Sequence, residues 1–435
     1  MAQGDDAAQR AFDDVVVDLG SPAAGPDASP PLTSAPLLAA VCRAGTRHIF
    51  GDTADTTELG ALLTTPSDAI LREIDGNTAN QPLVHKVLRR YLKGDAPAAW
   101  ARRLRDLQPD LSRDERNAVI YAIVCGRIGT DATHAFGAGR AWQVSLQLHM
   151  TLGRDAEAAK RVGRCLQRMV PSGIVKVPFT PHYPQCFLIA RDLEREGIPV
   201  NFTSTFSARQ TVAAALLADV TLTNIFMGRI NQGMKAALLG EHVDLEAQRA
   251  LRRLRDDVGV KTLLIVASVR EWQTFVRVAG CDAFTAPLGA IRDFLTQTEV
   301  APAAVRSQLE TSYADRLGIA TTVLQALGAP RIARLYDVEP DLVRFLTEYR
   351  ATAEYQALRD GEALFKRVDE AGFGDLFDAP TASEWQELRQ NKLPQLGAPL
   401  TARLPLDTLY TLLADADFEK FQEEMDVLID ERVGG

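Results

Sequence analysis

The chain has 435 residues, 46% of them apolar or aromatic, so it can bury a large core. Its net charge of -9, without a basic stripe, argues against a surface that binds nucleic acid. No run reaches the ~18 apolar residues of a membrane-spanning helix, and the N-terminal MAQGDDAAQRAFDD lacks the pattern of a secretion signal. The five cysteines include no CxxC pair, which indicates reduced thiols and no zinc site. We therefore expect a cytoplasmic protein that binds neither nucleic acid nor membrane.

The first 35 residues end in a segment rich in proline, alanine, glycine and serine, GSPAAGPDASPPLTSAP. Such a composition buries too little apolar area to order itself. We therefore predict a flexible arm over residues 1–35.

From residue 36 onward, short apolar runs alternate with segments of helical periodicity. The stretch 84–142 is mostly helical, and Ser207 is predicted to cap a helix over 208–218. Further helices are predicted over 155–170, 185–197, 245–258 and 270–280. Eight strands are predicted, at or within residues 46–52, 73–83, 142–150, 173–179, 198–206, 220–230, 262–270 and 282–288.

Regular alternation of strand and helix indicates a parallel sheet of the α/β class. The count of eight favours a closed (β/α)8 TIM barrel over an open doubly wound sheet, and no GxGxxG or P-loop follows any strand. Residues 303–435 show helical periodicity alone, and no flexible linker precedes them. We predict a catalytic barrel over 36–302 with additional C-terminal helices over 303–435 that form a cap, with a separate helical module as the alternative.

Polar residues recur at the carboxyl ends of these strands, where a barrel places its chemistry. Taken singly, each has an ordinary structural explanation, such as a helix cap at Asp52 or a turn at Asn80. Their recurrence at the same end of successive strands favours a functional site. The residues are Asp52, Asn80, Gln147, Lys176, Asn201, Thr203, Asn224, Ser268 and Arg270.

Lys176 lies in the apolar strand GIVKVPFT, where the pattern predicts burial. A lysine there could extend its ammonium group to water and pack only its stem. A buried amine instead has a lowered pKa, because its charged form is poorly solvated, and a neutral amine attacks a carbonyl to form a Schiff base. That chemistry needs a neighbouring acid or base, which Asp52 at another strand end could supply.

Several motifs, in order along the chain, resemble those of the transaldolase family. GIVKVPFT, IPVNFTSTFS and VTLTNIFMGRI resemble its lysine strand and the two strands that follow. FGDTAD resembles its aspartate strand, and IDGNTANQPLV resembles its glycine–x–threonine–x–asparagine loop. VASVREWQTFVRVAGCDAFT resembles its ASFR…GCD-x-LT segment. The resemblance runs from about residue 47 to residue 288, which is most of the barrel.

The resemblance implies a class I mechanism on sugar phosphates, in the carbohydrate metabolism of the pentose phosphate pathway. Lys176 would form a Schiff base with a ketose phosphate, and Asp52 would move protons during carbon–carbon cleavage. A dihydroxyacetone unit would then pass to an aldose phosphate. The other implied roles are contacts to the three-carbon unit by Asn80 and Asn201, a catalytic water at Thr203, and phosphate binding by Arg229, Ser268 and Arg270. Two arginines beside a serine hydroxyl also suit phosphate on physical grounds.

The sequence departs from the family at two residues of the predicted site. Gln147 stands where a glutamate is common, and an amide can orient a water but cannot take its proton; the smaller fructose-6-phosphate aldolases have a glutamine here. Asn224 stands where a serine is usual near the substrate, whereas Phe226 matches transaldolases. These departures keep three alternatives open: an aldolase that releases dihydroxyacetone, a specialised variant that moves another unit, and a non-catalytic homologue that binds sugar phosphates.

We expect no cofactor and no metal ion, because the six histidines lack the spacing of metal ligands. His149 alternates with Gln147 and could face the barrel interior, whereas a loop role is favoured for His182 and Tyr183. The expected partners are sugar phosphates. A homodimer is one state that the sequence allows, and the oligomeric state stays open.

Overall fold

The computed structural model describes residues 2–21, 31–64, 69–137, 140–390 and 398–434. The strands are β1 (Leu32–Thr33), β2 (His48–Asp52), β3 (Ile70–Leu71), β4 (Gly76–Ala79), β5 (Gln143–Gln147), β6 (Gly173–Pro178), β7 (Val200–Thr205), β8 (Leu222–Phe226), β9 (Leu263–Ala267) and β10 (Ala283–Ala286). The helices up to the end of the barrel are α1 (Ala2–Gly20), α2 (Pro36–Arg43), α3 (Thr56–Leu63), α4 (Gln81–Tyr91), α5 (Ala96–Leu107), α6 (Arg113–Phe136), α7 (Ala156–Met169), α8 (Gln185–Arg195), α9 (Ala208–Ala218), α10 (Met227–Met234), α11 (Leu239–Val258), α12 (Thr274–Arg277) and α13 (Leu288–Thr296). The helices after it are α14 (Thr321–Leu327), α15 (Ala329–Ala333), α16 (Pro340–Arg350), α17 (Ala353–Ala357), α18 (Gly361–Glu370), α19 (Ala382–Gln390), α20 (Ala398–Arg403) and α21 (Leu406–Val433).

Eight of the strands close into a parallel barrel, which confirms the predicted (β/α)8 TIM-barrel class. They follow chain order from β2 through β4 to β10, and β10 pairs with β2 to complete the ring. Strands such as β9 (LLIVA) are almost wholly apolar because helices cover their outer face and the barrel interior covers the other. The two short strands β1 and β3, which were not predicted, pair with each other outside the barrel.

The predicted flexible arm over 1–35 is wrong for its first part. Residues 2–20 form α1, and Phe12 and Val16, four residues apart on one helical face, are buried. The helix packs against α5, α6 and α7. The composition of residues 20–36, on which the prediction rests, does not extend to residues 2–20, where an apolar stripe favours a helix once it finds a surface to pack on. Most of the proline-rich segment, residues 22–30, lies outside the described residues.

The lateral register of the strands places the site residues at one level of the barrel. Lys176 is aligned with Gln147 on β5 and with Asn201 on β7. Aligned residues of neighbouring parallel strands point to the same face of a sheet. The Nδ2 group of Asn201 donates to Ser145 Oγ across the strand between them at 3.0 Å, so this common face is the barrel interior.

The final helix, α21, is buried around most of its circumference. Apolar residues such as Leu409 and Ile429 are fully buried, and so are polar ones such as Thr411 and Asp415. The helix packs against α4, α5, α6 and β7. Its two faces therefore both contact protein, which explains why its sequence shows little segregation of polar and apolar residues. The division of the chain into a barrel of 36–302 and a cap of 303–435 stays a prediction.

The five cysteines are unpaired in the structure, and four of them are buried. Among the described helices, none is long and apolar enough to cross a membrane. The predicted cytoplasmic location stays a prediction.

Candidate active site

Lys176 lies inside the barrel near its carboxyl end, with only 2% of its surface exposed. Its head group therefore does not reach bulk water, as the alternative of a surface-seeking lysine would require. Burial lowers the pKa of Lys176 to about 8, although the charge of Asp52 opposes that shift. About a tenth of the amine is thus neutral at pH 7, far more than for an ordinary lysine.

Asp52 ends β2 on the same interior surface. Thr78 Oγ1 donates to Asp52 Oδ1 at 2.8 Å and also contacts Thr285 Oγ1 at 2.6 Å. Burial raises the pKa of Asp52, while the Lys176 amine and the Thr78 hydroxyl oppose the rise. The carboxyl is therefore oriented by a hydroxyl and close enough to Lys176 for each charge to act on the other.

Asn224 is the centre of a buried hydrogen-bond network at the ends of β7 and β8. Its Nδ2 group donates to Asn201 Oδ1 at 3.2 Å, and its Oδ1 accepts from Thr203 Oγ1 at 3.0 Å. The same Oδ1 also accepts from the backbone N–H of Ser204 at 3.3 Å. The asparagine that departs from the family pattern thus holds the side chains of Asn201 and Thr203 in place.

Ser204 and Ser268 have left-handed backbone conformations at two strand ends. Their φ angles are 71° and 61°, which are unusual for residues other than glycine. Each such conformation costs about 1–3 kcal/mol and persists mainly at functional sites. Ser204 lies beside Thr203, and Ser268 lies beside the predicted phosphate-binding arginines.

Gln147 is fully buried at the end of β5, level with Lys176. Its Nε2 group lies 3.6 Å from the sulfur of Met150, and its Oε1 atom has no hydrogen-bond partner among the described residues. A buried, unpartnered amide oxygen is costly. It is therefore available to a water or a ligand hydroxyl.

Asn80 follows β4 and caps α4, since its side-chain oxygen accepts from the backbone N–H of Leu83 at 3.2 Å. This is the ordinary structural role that the sequence also allowed. The cap uses Oδ1 and fixes the orientation of the side chain, which is only partly buried. A contact between the Asn80 amide and substrate stays a prediction.

Arg229, Ser268 and Arg270 come together where α10 begins and β9 ends. Gly228 allows this approach, because a Cβ atom there would lie 2.0 Å from the carbonyl oxygen of Ser268. Burial and then the neighbouring Arg229 lower the pKa of Arg270, although the Arg270 side chain retains a solvent-exposed surface. Arg229 also pairs with Asp417 of α21 at 3.0 Å. Two cations held close together favour an anionic ligand.

The helix α21 crosses the carboxyl end of the barrel. Thr411 Oγ1 donates to the backbone oxygen of Ser204 at 2.8 Å, and Phe418 packs near Phe226 with ring centroids 6.3 Å apart. Further along, Asp426 contacts His149 Nε2 at 2.9 Å. The helix therefore covers the ends of β5, β7 and β8. The partly exposed Asp52, Ser268 and Arg270 lie on the side that stays open.

The predicted site residues thus gather at one end of the barrel, where three further polar residues were not predicted. Thr78 orients Asp52; its even spacing from Asn80 along β4 was a usable signal. Ser204 has an unusual backbone that no local sequence pattern announces. Asp415 of α21 lies at the covered strand ends, and nothing in its helical segment distinguishes it from a surface residue.

The histidines are engaged in structural contacts. His149 bonds both Asp426 and Thr151, at 2.9 and 2.8 Å, and so faces α21. His182 stacks on Trp385 with ring centroids 3.9 Å apart. Among the described residues, no group of three or more potential ligands is placed to hold a metal ion.

Comparisons with known proteins agree with this geometry. Residues 49–326 match the family model described as transaldolase/fructose-6-phosphate aldolase. A probable transaldolase of Hyphomonas neptunium is 31% identical over 146 residues, which are 33% of this chain and 62% of that protein. A probable transaldolase of Aquifex aeolicus is 32% identical over 139 residues, which are 32% of this chain and 59% of that protein. A transaldolase of Xanthomonas oryzae pv. oryzae is 28% identical over 171 residues, which are 38% of this chain and 49% of that protein.

The chain spans less than two thirds of the length of these relatives. The family match extends over more than half of the chain and includes every predicted site residue, while α15 to α21 lie after it. The chain is a divergent member of the transaldolase/fructose-6-phosphate aldolase family.

Proposed function

We propose that this protein is a class I transaldolase that moves a dihydroxyacetone unit from a ketose phosphate to an aldose phosphate. The observation that carries the proposal is Lys176, a buried amine with its pKa lowered to about 8 beside a carboxyl group. Its lone pair would attack the ketose carbonyl, and loss of water would give an imine.

Asp52 is the proposed base for bond cleavage. It would take the proton from the hydroxyl group on the carbon beyond the bond that breaks. The electrons of that bond would flow into the protonated imine, leaving an enamine on Lys176 and releasing an aldehyde. The Thr78 hydrogen bond to Asp52 supports this role, because it fixes the direction of the carboxyl group.

The second half of the reaction reverses these steps with another aldehyde. The enamine would attack the acceptor, and Asp52 would return its proton to the new hydroxyl group. Water would then hydrolyse the imine and free Lys176. Thr203 is the proposed holder of that water, and the bonds from Asn224 to Thr203 and Asn201 keep both residues in position.

The phosphate group is assigned to the cationic end of the site. Arg229 and Arg270 would bind it with Ser268, at the partly exposed side of the barrel mouth. A phosphate would compete with Asp417 for Arg229, since the two negative groups need the same cation. Phe226 lies under the Arg229 guanidinium, 5.5 Å from its centre, and helps to orient it.

A second candidate is an aldolase that releases free dihydroxyacetone. Gln147, level with Lys176, favours it, because it resembles the glutamine that the smaller fructose-6-phosphate aldolases have at this position. The products separate the two candidates. With a ketose phosphate alone, free dihydroxyacetone accumulates if the protein is an aldolase. For a transaldolase we expect turnover to require an aldose phosphate acceptor, with little free dihydroxyacetone, and release that is independent of acceptor would contradict it.

A further inference from the structure

The helix α21 carries a row of polar side chains on the face that meets the barrel. Thr411, Asp415, Glu419, Gln422 and Asp426 are spaced three or four residues apart and are all buried. Three of them are bonded to the barrel or its loops: Thr411 to Ser204, Glu419 to Tyr183, and Asp426 to His149. Asp415 and Gln422 are not bonded in this way.

Asp415 is fully buried, and the hydroxyl groups of Thr180 and Ser204 lie close to its carboxyl group. Neither carboxyl oxygen, however, has a hydrogen-bond partner in normal geometry among the described residues. An unpartnered carboxyl group inside a protein is strongly unfavourable. A ligand that hydrogen-bonds this carboxyl group would remove that cost.

Further buried polar atoms of the barrel end and of α21 also lack a hydrogen-bond partner among the described residues. Ser204 Oγ, next to Asp415, has no partner among the described residues, and neither do Gln147 Oε1 or the side-chain amide of Gln422. Buried groups of both the barrel and the helix therefore have unused hydrogen-bonding capacity. A polyol would satisfy such a set.

The position of Asp415 relative to the two ends of the site identifies the part of the sugar it would meet. It lies beside Thr180, four residues beyond Lys176 on the same strand and loop, and its charge interacts with Arg229. The imine carbon is fixed at Lys176 and the phosphate at the arginines. A group placed near both the strand end and Arg229 meets the carbons between them, which belong to the aldose part of the sugar.

The geometry points to Asp415 as a specificity-determining residue that hydrogen-bonds the hydroxyl groups of the aldose part of the substrate. This inference rests on the proposed function. It concerns a helix that lies outside the family match of residues 49–326. Burial raises the pKa of Asp415 to about 8, against smaller opposing effects of Thr180, Ser204 and Arg229. A neutral carboxyl group both donates and accepts, and it does not repel a phosphate.

The test separates binding of the three-carbon unit from binding of the aldose. Dihydroxyacetone has no aldose part, so its borohydride trapping on Lys176 reports only the reacting end. The KM for an aldose phosphate acceptor, and for its analogue without the hydroxyl group next to the aldehyde, reports the other end. The variants are Asp415→Leu, Asp415→Asn and the matched control Glu431→Gln, which removes an exposed carboxylate from the same helix.

We expect Asp415→Leu to trap dihydroxyacetone within about twofold of wild type and to raise the KM for the aldose phosphate about 10–100-fold. It should also lose the preference for the hydroxylated acceptor, whereas Asp415→Asn and Glu431→Gln should stay within about threefold of wild type. A wild-type KM in Asp415→Leu, or an equal loss of trapping and acceptor binding, would overturn the inference. If Asp415→Leu does not fold, an Asp415→Asn variant that loses trapping overturns it equally. A wild-type protein that traps nothing overturns the proposed function and this inference with it.

Discussion

The barrel residues and the α21 residues at the candidate site differ in how their buried polar groups are hydrogen-bonded. On the barrel side, Asn201, Thr203 and Asn224 bond one another, and Thr78 bonds Asp52. On the helix side, Asp415 has no such partner among the described residues. A network whose members hold one another is rigid, whereas unused hydrogen-bonding capacity is available to a ligand. The difference suggests that the barrel fixes the reacting carbon and that α21 selects what is attached to it.

Lys176 of the barrel and Asp415 of α21 are buried titratable groups that differ in the chemistry of their neutral forms. Burial lowers the pKa of Lys176 to about 8 and raises the pKa of Asp415 to about 8. Both shifts favour the neutral form, because burial penalises the charged form of either group. The neutral form of the amine is a nucleophile, whereas the neutral form of the carboxyl group is a hydrogen-bond donor.

The largest expected effect comes from removing the proton carrier on the barrel side. Asp52→Asn should lower kcat about 10²–10⁴-fold, as expected for loss of a general acid–base group, while dihydroxyacetone still forms an imine with Lys176. The matched control is Asp75→Asn, which removes a carboxylate just before β4, at the opposite end of the barrel. Steady-state kinetics and trapping measure the two steps. Equal kcat values for Asp52→Asn and wild type would contradict the role of Asp52.

A second large effect, on stability, should follow from breaking the ion pair that joins α21 to the barrel helix α9. Arg209 of α9 and Asp407 of α21 are each 1% exposed and form a two-bonded ion pair, with N–O distances of 2.7 and 2.9 Å. Breaking a buried pair by removing one partner costs about 3–5 kcal/mol. We expect Arg209→Met to lower the free energy of unfolding by this amount in urea denaturation.

Arg334→Met is the control for this variant. Arg334 also contacts Asp375, the second acidic partner of Arg209, but the Arg334 side chain is 45% exposed. Loss of an exposed pair should cost no more than about 1 kcal/mol. Equal destabilisation by the two variants would mean that α21 is not anchored through Arg209.

The pH dependence of imine formation tests whether the pKa of the Lys176 amine is lowered. With a Lys176 pKa of about 8, the neutral fraction rises about tenfold per pH unit below pH 8 and levels off above it. Single-turnover imine formation from dihydroxyacetone, followed between pH 6 and 9.5, should show this rise and plateau. A rate that is flat over this range, or still rising steeply at its upper limit, would contradict a lowered pKa.

The smallest expected effect concerns the internal network of the barrel side. Asn224→Ala removes the bonds to Asn201 Oδ1 and Thr203 Oγ1, which should cost about 1–3 kcal/mol of stability and lower kcat about tenfold through misplacement of these side chains. The control is Thr223→Val on the outward face of the same strand, where the hydroxyl bonds only the backbone oxygen of Phe202. It should cost about 1 kcal/mol with kcat nearly unchanged. Equal kcat values in the two variants would remove Asn224 from the positioning of the site.

The barrel could be predicted from sequence because its signal is local and repeated. Each strand is a short apolar run, and its polar end falls at a fixed place in a closed barrel. That reasoning, with the family resemblance, brought Lys176, Asp52, Asn201 and Thr203 together before the structure placed them on one interior surface.

The remaining features depend on contacts between distant segments. Residues 1–20 look disordered in isolation, and only the surface made by α5, α6 and α7 gives Phe12 and Val16 a place to pack. Asp415 lies in a helix whose many charged residues predict exposure to solvent. The sequence does not reveal that protein covers both faces of this helix. Asn224 looks like an isolated departure until its three hydrogen bonds are seen.

Borohydride trapping with peptide mapping tests the central claim most directly. Wild-type protein incubated with a ketose phosphate and then reduced should carry one three-carbon unit on the peptide that contains Lys176, and Lys176→Ala should carry none. Lys420→Ala, which removes an exposed lysine of α21, should label as wild type does. A label on another lysine, or equal labelling of Lys176→Ala and wild type, would contradict the account.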